Sequence, residues 1–217
     1  MMFSVPDFFA RAREHLREGW PDSDFDPRAR LENGDHRLNQ PLSAAEAALF
    51  APARPAAVLA PVVLRGDRAF MLLTQRAASL RDHSGQIAFP GGKIEAGESP
   101  LEAALREAEE EIGLSRDRVE ILGCFDPYQT STGFRVFPVL GLIKPPLDLT
   151  PDRTEVEDVF ETPLEFLMDP ANHQRHKKMW QGKQRQFFAM PWEDRYIWGA
   201  TAGMIRNLYE RLYSGEA

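Results

Sequence analysis

The 217-residue chain has one cysteine, Cys124. A lone thiol excludes an intrachain disulfide and any cysteine-rich zinc site, and it fits a reducing cytoplasm, where we expect the protein to reside. No apolar run approaches the ~18 residues that a membrane-spanning helix needs, so no membrane partner is expected. The opening stretch MMFSVPDFFARAREHLREGW lacks the apolar core of a secretory signal. Basic charge is also short. There are 26 Lys and Arg against 33 Asp and Glu, a net charge of −7. That balance excludes a general nucleic-acid binder, because neutralising phosphates takes a surplus of cations. An anionic ligand would have to meet a local basic patch. There is no internal repeat and no low-complexity segment. What is present, 43% hydrophobic and 27% charged residues, is the composition of a globular protein.

Residues 1–52 read as an N-terminal helical extension. A helical pattern runs from Asp7 to Trp20 and breaks at Pro21. A polar stretch follows to Pro41, and Ser43-Ala44-Ala45-Glu46 has the form of a capping box before a short Ala-rich helix. With no chemical motif, this segment reads as a packing or dimerisation appendage, and a homodimer is one expectation. Residues 53–217 differ. Two β-rich runs, 56–64 and 69–76, flank a turn at Gly66-Asp67. QIAF (86–89) is a third strand, and 119–126 and 134–143 are two more. Thr162-Pro163-Leu164-Glu165 reads as a capping box. Two strands around Gln181-Gly182 form a third hairpin, and Thr201–Tyr213 is a final amphipathic helix. Strands interleaved with a few helices imply an α/β fold, a mixed sheet with helices against it.

The informative helix lies in GGKIEAGESPLEAALREAEEEIGL (91–114). Ser99 and Glu102 form a capping box, Pro100 suits the first turn, and Gly113 suits the stop. Leu101, Ala104, Leu105, Ala108 and Ile112 make an apolar stripe for the sheet. Glu107, Glu110 and Glu111 stand at i, i+3 and i+4 and share another face. Like charges at that spacing repel, and a hard divalent cation relieves the conflict. Gly91 and Gly92 just upstream let phosphates approach the backbone. Together these features suggest metal-assisted phosphoryl chemistry, although a glutamate cluster alone is ordinarily a solvated helix face.

Upstream lies LLTQRAASLRDHSGQIAFPGG (72–92), whose Arg76, Arg81 and His83, with Lys93 beyond, form a basic cluster beside the acidic helix. For the two arginines, loop salt bridges are the ordinary alternative.

The spacing of Gly92, Glu98, Arg106, Glu107, Ala108, Glu110, Glu111, Gly113 and Leu114 resembles the full signature of the Nudix hydrolases. Ala108 stands where a larger aliphatic is more usual. The resemblance implies an α/β/α sandwich that hydrolyses a nucleoside diphosphate linked to another moiety, with Mg2+ or Mn2+. By the same resemblance Glu107, Glu110 and Glu111 are the metal ligands. Arg106 orients the first of them, though it could equally be an i,i+4 partner of Glu102 or Glu110. Glu98 is an outer carboxylate, and a backbone carbonyl at Gly91 or Gly92 is a further ligand. Glu107 or Glu111 doubles as base.

The segment 72–92 is similar to the signature of the coenzyme A diphosphatase subfamily, matched at Leu72, Leu73, Thr74, Arg76, Ala77, Arg81, Gly85, Phe89, Pro90, Gly91 and Gly92. It implies that coenzyme A is cleaved to adenosine 3′,5′-bisphosphate and 4′-phosphopantetheine. Arg76, Arg81, His83, Gly91, Gly92 and Lys93 are the expected substrate contacts, and Arg81 is favoured to sense the 3′-phosphate. A related reading keeps the box and changes the substrate to ADP-ribose or a dinucleotide. A non-catalytic ligand sensor would be expected to lose box glutamates, and none is lost.

Three weaker features remain. Glu155, Glu157 and Asp158 follow the strands as loop acids, with Glu155 first choice for an extra metal ligand or base. The basic hairpin 173–185 reads as solvated, with reach to the substrate as the alternative. His83, His173 and His176 lack zinc spacing, and Cys124 reads as a buried small hydrophobe.

Overall fold

The structure, a computed structural model of the chain, describes residues 3–26, 32–39, 53–78, 85–180 and 182–214. Helix α1 (Val5–His15) starts under a Ser4 cap. It ends at His15 and not at Trp20, because Leu16 turns extended and Arg17 exchanges two backbone hydrogen bonds with Cys124 (3.0 and 2.7 Å). Short 3-10 turns follow at Asp22–Phe25 and Asp35–Leu38. The expected capping box at Ser43 lies outside the described residues.

The hairpin expected at Gly66-Asp67 forms from β1 (Arg54–Arg65) and β2 (Arg68–Arg76), with Arg65 opposite Arg68. Two short strands, β3 (Ile87–Ala88) and β4 (Gly91–Lys93), precede helix α2 (Pro100–Ile112). Then come β5 (Val119–Cys124), β6 (Tyr128–Gln129), β7 (Phe134–Ile143) and β8 (Val156–Pro163). The chain ends with α3 (Leu164–Leu167), β9 (Gln174–Trp180), β10 (Lys183–Trp192), β11 (Arg195–Trp198) and α4 (Ala200–Tyr213). The first eight strands form one sheet, in which β1 pairs parallel with β7 and antiparallel with β2 and β4. Strands β9, β10 and β11 form a separate antiparallel sheet.

Two expectations fail around β8. The segment carrying Glu157 and Asp158 is not a loop: it pairs antiparallel with β2. The capping box at Thr162 does not form, because Thr162 and Pro163 stay extended opposite Met71 and Phe70. The helix that follows has four residues and no side-chain cap.

Alternation along β1 builds the core on both faces. Ala56, Ala60 and Val62 face the layer of α1 and α4, where Phe8, Ile205 and Leu208 are buried. Ala57, Leu59 and Val63 face α2 through Ala104, Ala108 and Ile112. This is the α/β/α arrangement expected. Ala108 is fully buried, so the smaller side chain lets the helix lie close to the sheet. The stripe is shifted from the expected one, with Ala103 buried and Leu101 and Leu105 only partly covered. Cys124 is buried, and burial pushes its thiol up to about 11. Among the described residues no helix is long and apolar enough to cross a membrane.

Candidate active site

Helix α2 begins as its sequence dictates. The Ser99 Oγ accepts from the Glu102 amide (3.2 Å), and the Glu102 carboxylate accepts from the Ser99 amide (2.8 Å). It stops at Gly113, whose φ of 70° is a left-handed conformation that glycine adopts without a Cβ penalty. These two ends fix the rotational phase of the glutamates. At ~100° per residue, Glu111 lies about 40° from Glu107 while Glu110 lies about 60° to the other side. The expected single face is therefore split. Glu111 is buried at 4% exposure, the Glu107 side chain is 17% exposed, and that of Glu110 is 61% exposed.

Arg106 is the hub between helix and turn. It donates to Glu98 (2.8 and 3.0 Å), to Glu107 (2.9 Å), to Glu110 (3.0 Å) and to the Lys93 carbonyl (3.0 Å). The hydrogen bond to Glu98, then that to Glu107, holds the guanidinium firmly charged, and the Glu98 carboxyl is lowered chiefly by Arg106. Arg106 thus touches Glu107 and also makes the i,i+4 pair with Glu110.

The glycine turn packs directly on these carboxylates. A Cβ at Gly92 would sit 2.4 Å from the Glu107 Oε1. The Gly91 amide donates to the Glu111 carboxylate (3.1 Å), and Arg76 approaches Glu111 at 3.7 Å. The Arg76 Nε is buried without a hydrogen-bond partner. Arg81 and His83 lie outside the described residues.

Glu155 joins the site from the turn before β8. The Asp152 amide donates to the Glu111 carbonyl (2.9 Å), the Glu155 amide to the Asp152 carbonyl (3.0 Å), and the Ala77 amide to the Glu155 carbonyl (2.8 Å). The turn is thereby stitched to both α2 and the end of β2, and the Glu155 charge raises the pKa of both Glu107 and Glu111. Its neighbours do not join. Asp158 is paired with Arg195 (2.6 Å), and Glu157 is exposed on β8.

Burial is the main cause of a raised carboxyl at Glu107 and of one pushed to about 7 at Glu111. For Glu111 the Gly91 amide and Arg76 offset part of the rise, and Glu107 and Glu155 add to it. The Glu107 and Glu111 carboxylates, which repel one another beside the Gly92 backbone, are oxygen donors of the kind a hard divalent cation takes. Among the described residues no group of three or more His, Cys, Asp or Glu side chains is placed to hold a metal ion by itself.

A prediction follows for the metal-free protein. The Glu111 carboxyl titrates from its ordinary 4.5 when unfolded to about 7 when folded. The native state therefore binds more protons between those values, and stability falls as pH rises through that window. At ~1.4 kcal/mol per pH unit the loss is about 3 kcal/mol, complete above pH ~7. Thermal melts in chelator should show the decline between pH 4.5 and 7, and Glu111→Gln should flatten it. A wild-type melt that stays level would contradict the burial argument.

A cavity of about 600 Å³ opens beside Gly91 and Gly92, within the range of small-molecule sites. Its lining includes Arg76 and Lys93, and also residues from two further segments. Lys178 and Arg185 reach it from the basic hairpin, whose Lys177, Lys178, Lys183 and Gln184 are solvent-exposed. Asp35, His36 and Asn39 reach it from the extension. Asp35 accepts from Tyr128 Oη (2.8 Å) and from the Ser131 amide (2.7 Å), which clips the extension onto the loop after β6. The only prior signal for this was the absence of any other role for a polar segment.

A mixed sheet between helical layers, with carboxylates from one helix gathered under a glycine turn, is an arrangement suited to metal-assisted phosphoryl chemistry. The NUDIX domain model matches residues 53–182, and the chain belongs to the Nudix family of hydrolases. Curated relatives named as uncharacterized Nudix hydrolase NudL occur in Citrobacter koseri and Escherichia coli K12. They are 42% and 40% identical over 156 residues, covering 71% of this chain and 81% of their own. Among solved structures, a C. elegans Ap4A hydrolase is 25% identical with a TM-score of 0.45, covering 51% of this chain and 80% of its own.

Proposed function

We propose that the protein is a coenzyme A diphosphatase, releasing adenosine 3′,5′-bisphosphate and 4′-phosphopantetheine. The observation that carries this reading is the meeting of segment 72–92 with the carboxylates. Arg76, at the end of β2, lies 3.7 Å from Glu111, and Arg76, Gly91 and Gly92 all border the cavity. That segment is the one that resembles the coenzyme A subfamily, and an acidic chain has gathered cations there against its own field.

Glu107, Glu111 and Glu155 are assigned as the residues that hold a divalent ion, with Glu110 reaching it only after release from Arg106. When bound, Mg2+ or Mn2+ supplies neutralisation of the diphosphate oxygens and activation of water. The chain's residues do the rest. Arg106 fixes the Glu107 carboxylate, and the Gly91 amide fixes that of Glu111. The free Nε of Arg76 and the ammonium of Lys93 offer charge-assisted hydrogen bonds to the substrate anion. Arg81 and His83 are assigned to the same role from their place in the motif.

The test is a substrate panel. With Mg2+, kcat/KM for coenzyme A should exceed that for ADP-ribose and for diadenosine polyphosphates by at least an order of magnitude. A clear preference for either rival would reassign the substrate and leave the hydrolase class intact.

A further inference from the structure

The small sheet of β9, β10 and β11 has no part in the metal chemistry, yet one face of it lines the cavity. Its register sets Lys178 directly opposite Arg185 and His176 opposite Phe187, and it sets Trp198 opposite Ala189. Directly paired residues and their i+2 neighbours share a face. Two cations and an aromatic pair therefore stand side by side. The Phe187 and Trp198 rings meet edge-on at 5.1 Å, and the Lys178 ammonium lies 5.7 Å from the Trp198 ring. Like charges placed directly across two strands oppose pairing. An anion between them removes that repulsion. The strand that carries Arg185 is also held in place. Asn39 of the extension accepts from the Gln186 amide (2.8 Å) and donates to its carbonyl (2.9 Å). Lys178, Arg185, Phe187 and Trp198 all line the cavity that Gly91, Gly92 and Arg76 border.

We propose that Lys178 and Arg185 form a subsite for a phosphate monoester that the substrate carries apart from its scissile diphosphate, with Phe187 and Trp198 receiving the adjoining base. A phosphate dianion matches two adjacent cations, and a nucleobase has a flat face for the aromatic pair. On the reading of the previous subsection, on which this identification rests, the group is the 3′-phosphate of coenzyme A. The discrimination first expected of Arg81 then belongs to the second sheet.

The experiment compares coenzyme A with dephospho-coenzyme A, which differ by that one phosphate, in wild type, Lys178→Ala, Arg185→Ala and Lys178→Arg. Each alanine variant should lose about 10- to 100-fold in kcat/KM for coenzyme A, mostly through KM, with dephospho-coenzyme A little changed. Lys178→Arg should keep most of the preference. A structural role would lower both substrates together, and parallel losses or no loss would overturn the subsite. A calorimetric arm needs no turnover. Wild type should bind adenosine 3′,5′-bisphosphate more tightly than AMP, and the alanine variants should lose that difference. If wild type does not cleave coenzyme A, the functional reading falls and this arm alone decides the subsite. Equal affinity for the two nucleotides in wild type, or an undiminished difference in the variants, would then overturn it.

Discussion

Glu111→Gln is expected to lower kcat/KM by about 10³-fold or more while the metal-free protein becomes more stable above pH ~7. The two effects have one cause. Glutamine keeps the shape and an acceptor for the Gly91 amide, which donates to Glu111 at 3.1 Å, but it removes a negative charge from a site where burial opposes that charge. The stability gain is the return of the desolvation cost. The activity loss is the removal of a carboxylate from the ion, and 10³-fold corresponds to about 4 kcal/mol of transition-state stabilisation. Glu107→Gln should lose activity similarly, with a smaller stability change, since Glu107 is less buried. Thermal melts and steady-state kinetics on the same preparations separate the two effects. A folded Glu111→Gln protein with near-normal turnover would remove Glu111 from the metal site.

The second large effect distinguishes two adjacent glycines. At Gly92 the new methyl of alanine would meet the Glu107 carboxylate at 2.4 Å, the mobile end of a side chain. At Gly91 it would meet the Ala57 carbonyl oxygen at 2.3 Å and the Val58 Cα at 2.6 Å, which are backbone atoms of the central strand β1. Gly92→Ala should therefore fold, displace Glu107, and lose activity by about 10²-fold or more, since small misplacements of catalytic groups cost that much. Gly91→Ala should lose at least a few kcal/mol of stability, because a strand cannot swing away as a side chain can. Melting temperature and kcat/KM for the pair give the answer. Equal destabilisation of both variants would show that Gly92 is needed for packing and not as a cradle for the carboxylate.

Much of this site was legible in the sequence, and the reasons are local. Ser99, Pro100, Glu102 and Gly113 set the ends of α2 through contacts a few residues apart, so its phase could be read without the fold. The phase did not reveal burial. Glu111 and Glu110 are neighbours in sequence, but only the sheet decides that one is covered and the other exposed. Glu155 was named from the sequence, and its place beside the box depends on three backbone hydrogen bonds that no motif encodes. Strand β8 escaped because Glu157, Asp158 and Glu161 break the apolar alternation, which an edge strand paired only with β2 tolerates. At Thr162 pairing with β2 overrode a local capping signal, and past Leu16 the pairing of Arg17 with Cys124 overrode a helical one. The far wall of the cavity was the least legible part. Asp35, Lys178 and Arg185 converge only through a hairpin register and the docking of the extension, both of them long-range events.

One incubation tests substrate and metal together. Pure protein, coenzyme A and Mg2+ are mixed, and the reaction is resolved by chromatography with and without excess chelator. Adenosine 3′,5′-bisphosphate and 4′-phosphopantetheine should appear in equal amounts, with no product in chelator and recovery when Mg2+ or Mn2+ is restored. Intact coenzyme A under conditions where another nucleoside diphosphate is cleaved would contradict the substrate, and full turnover in chelator would contradict the metal.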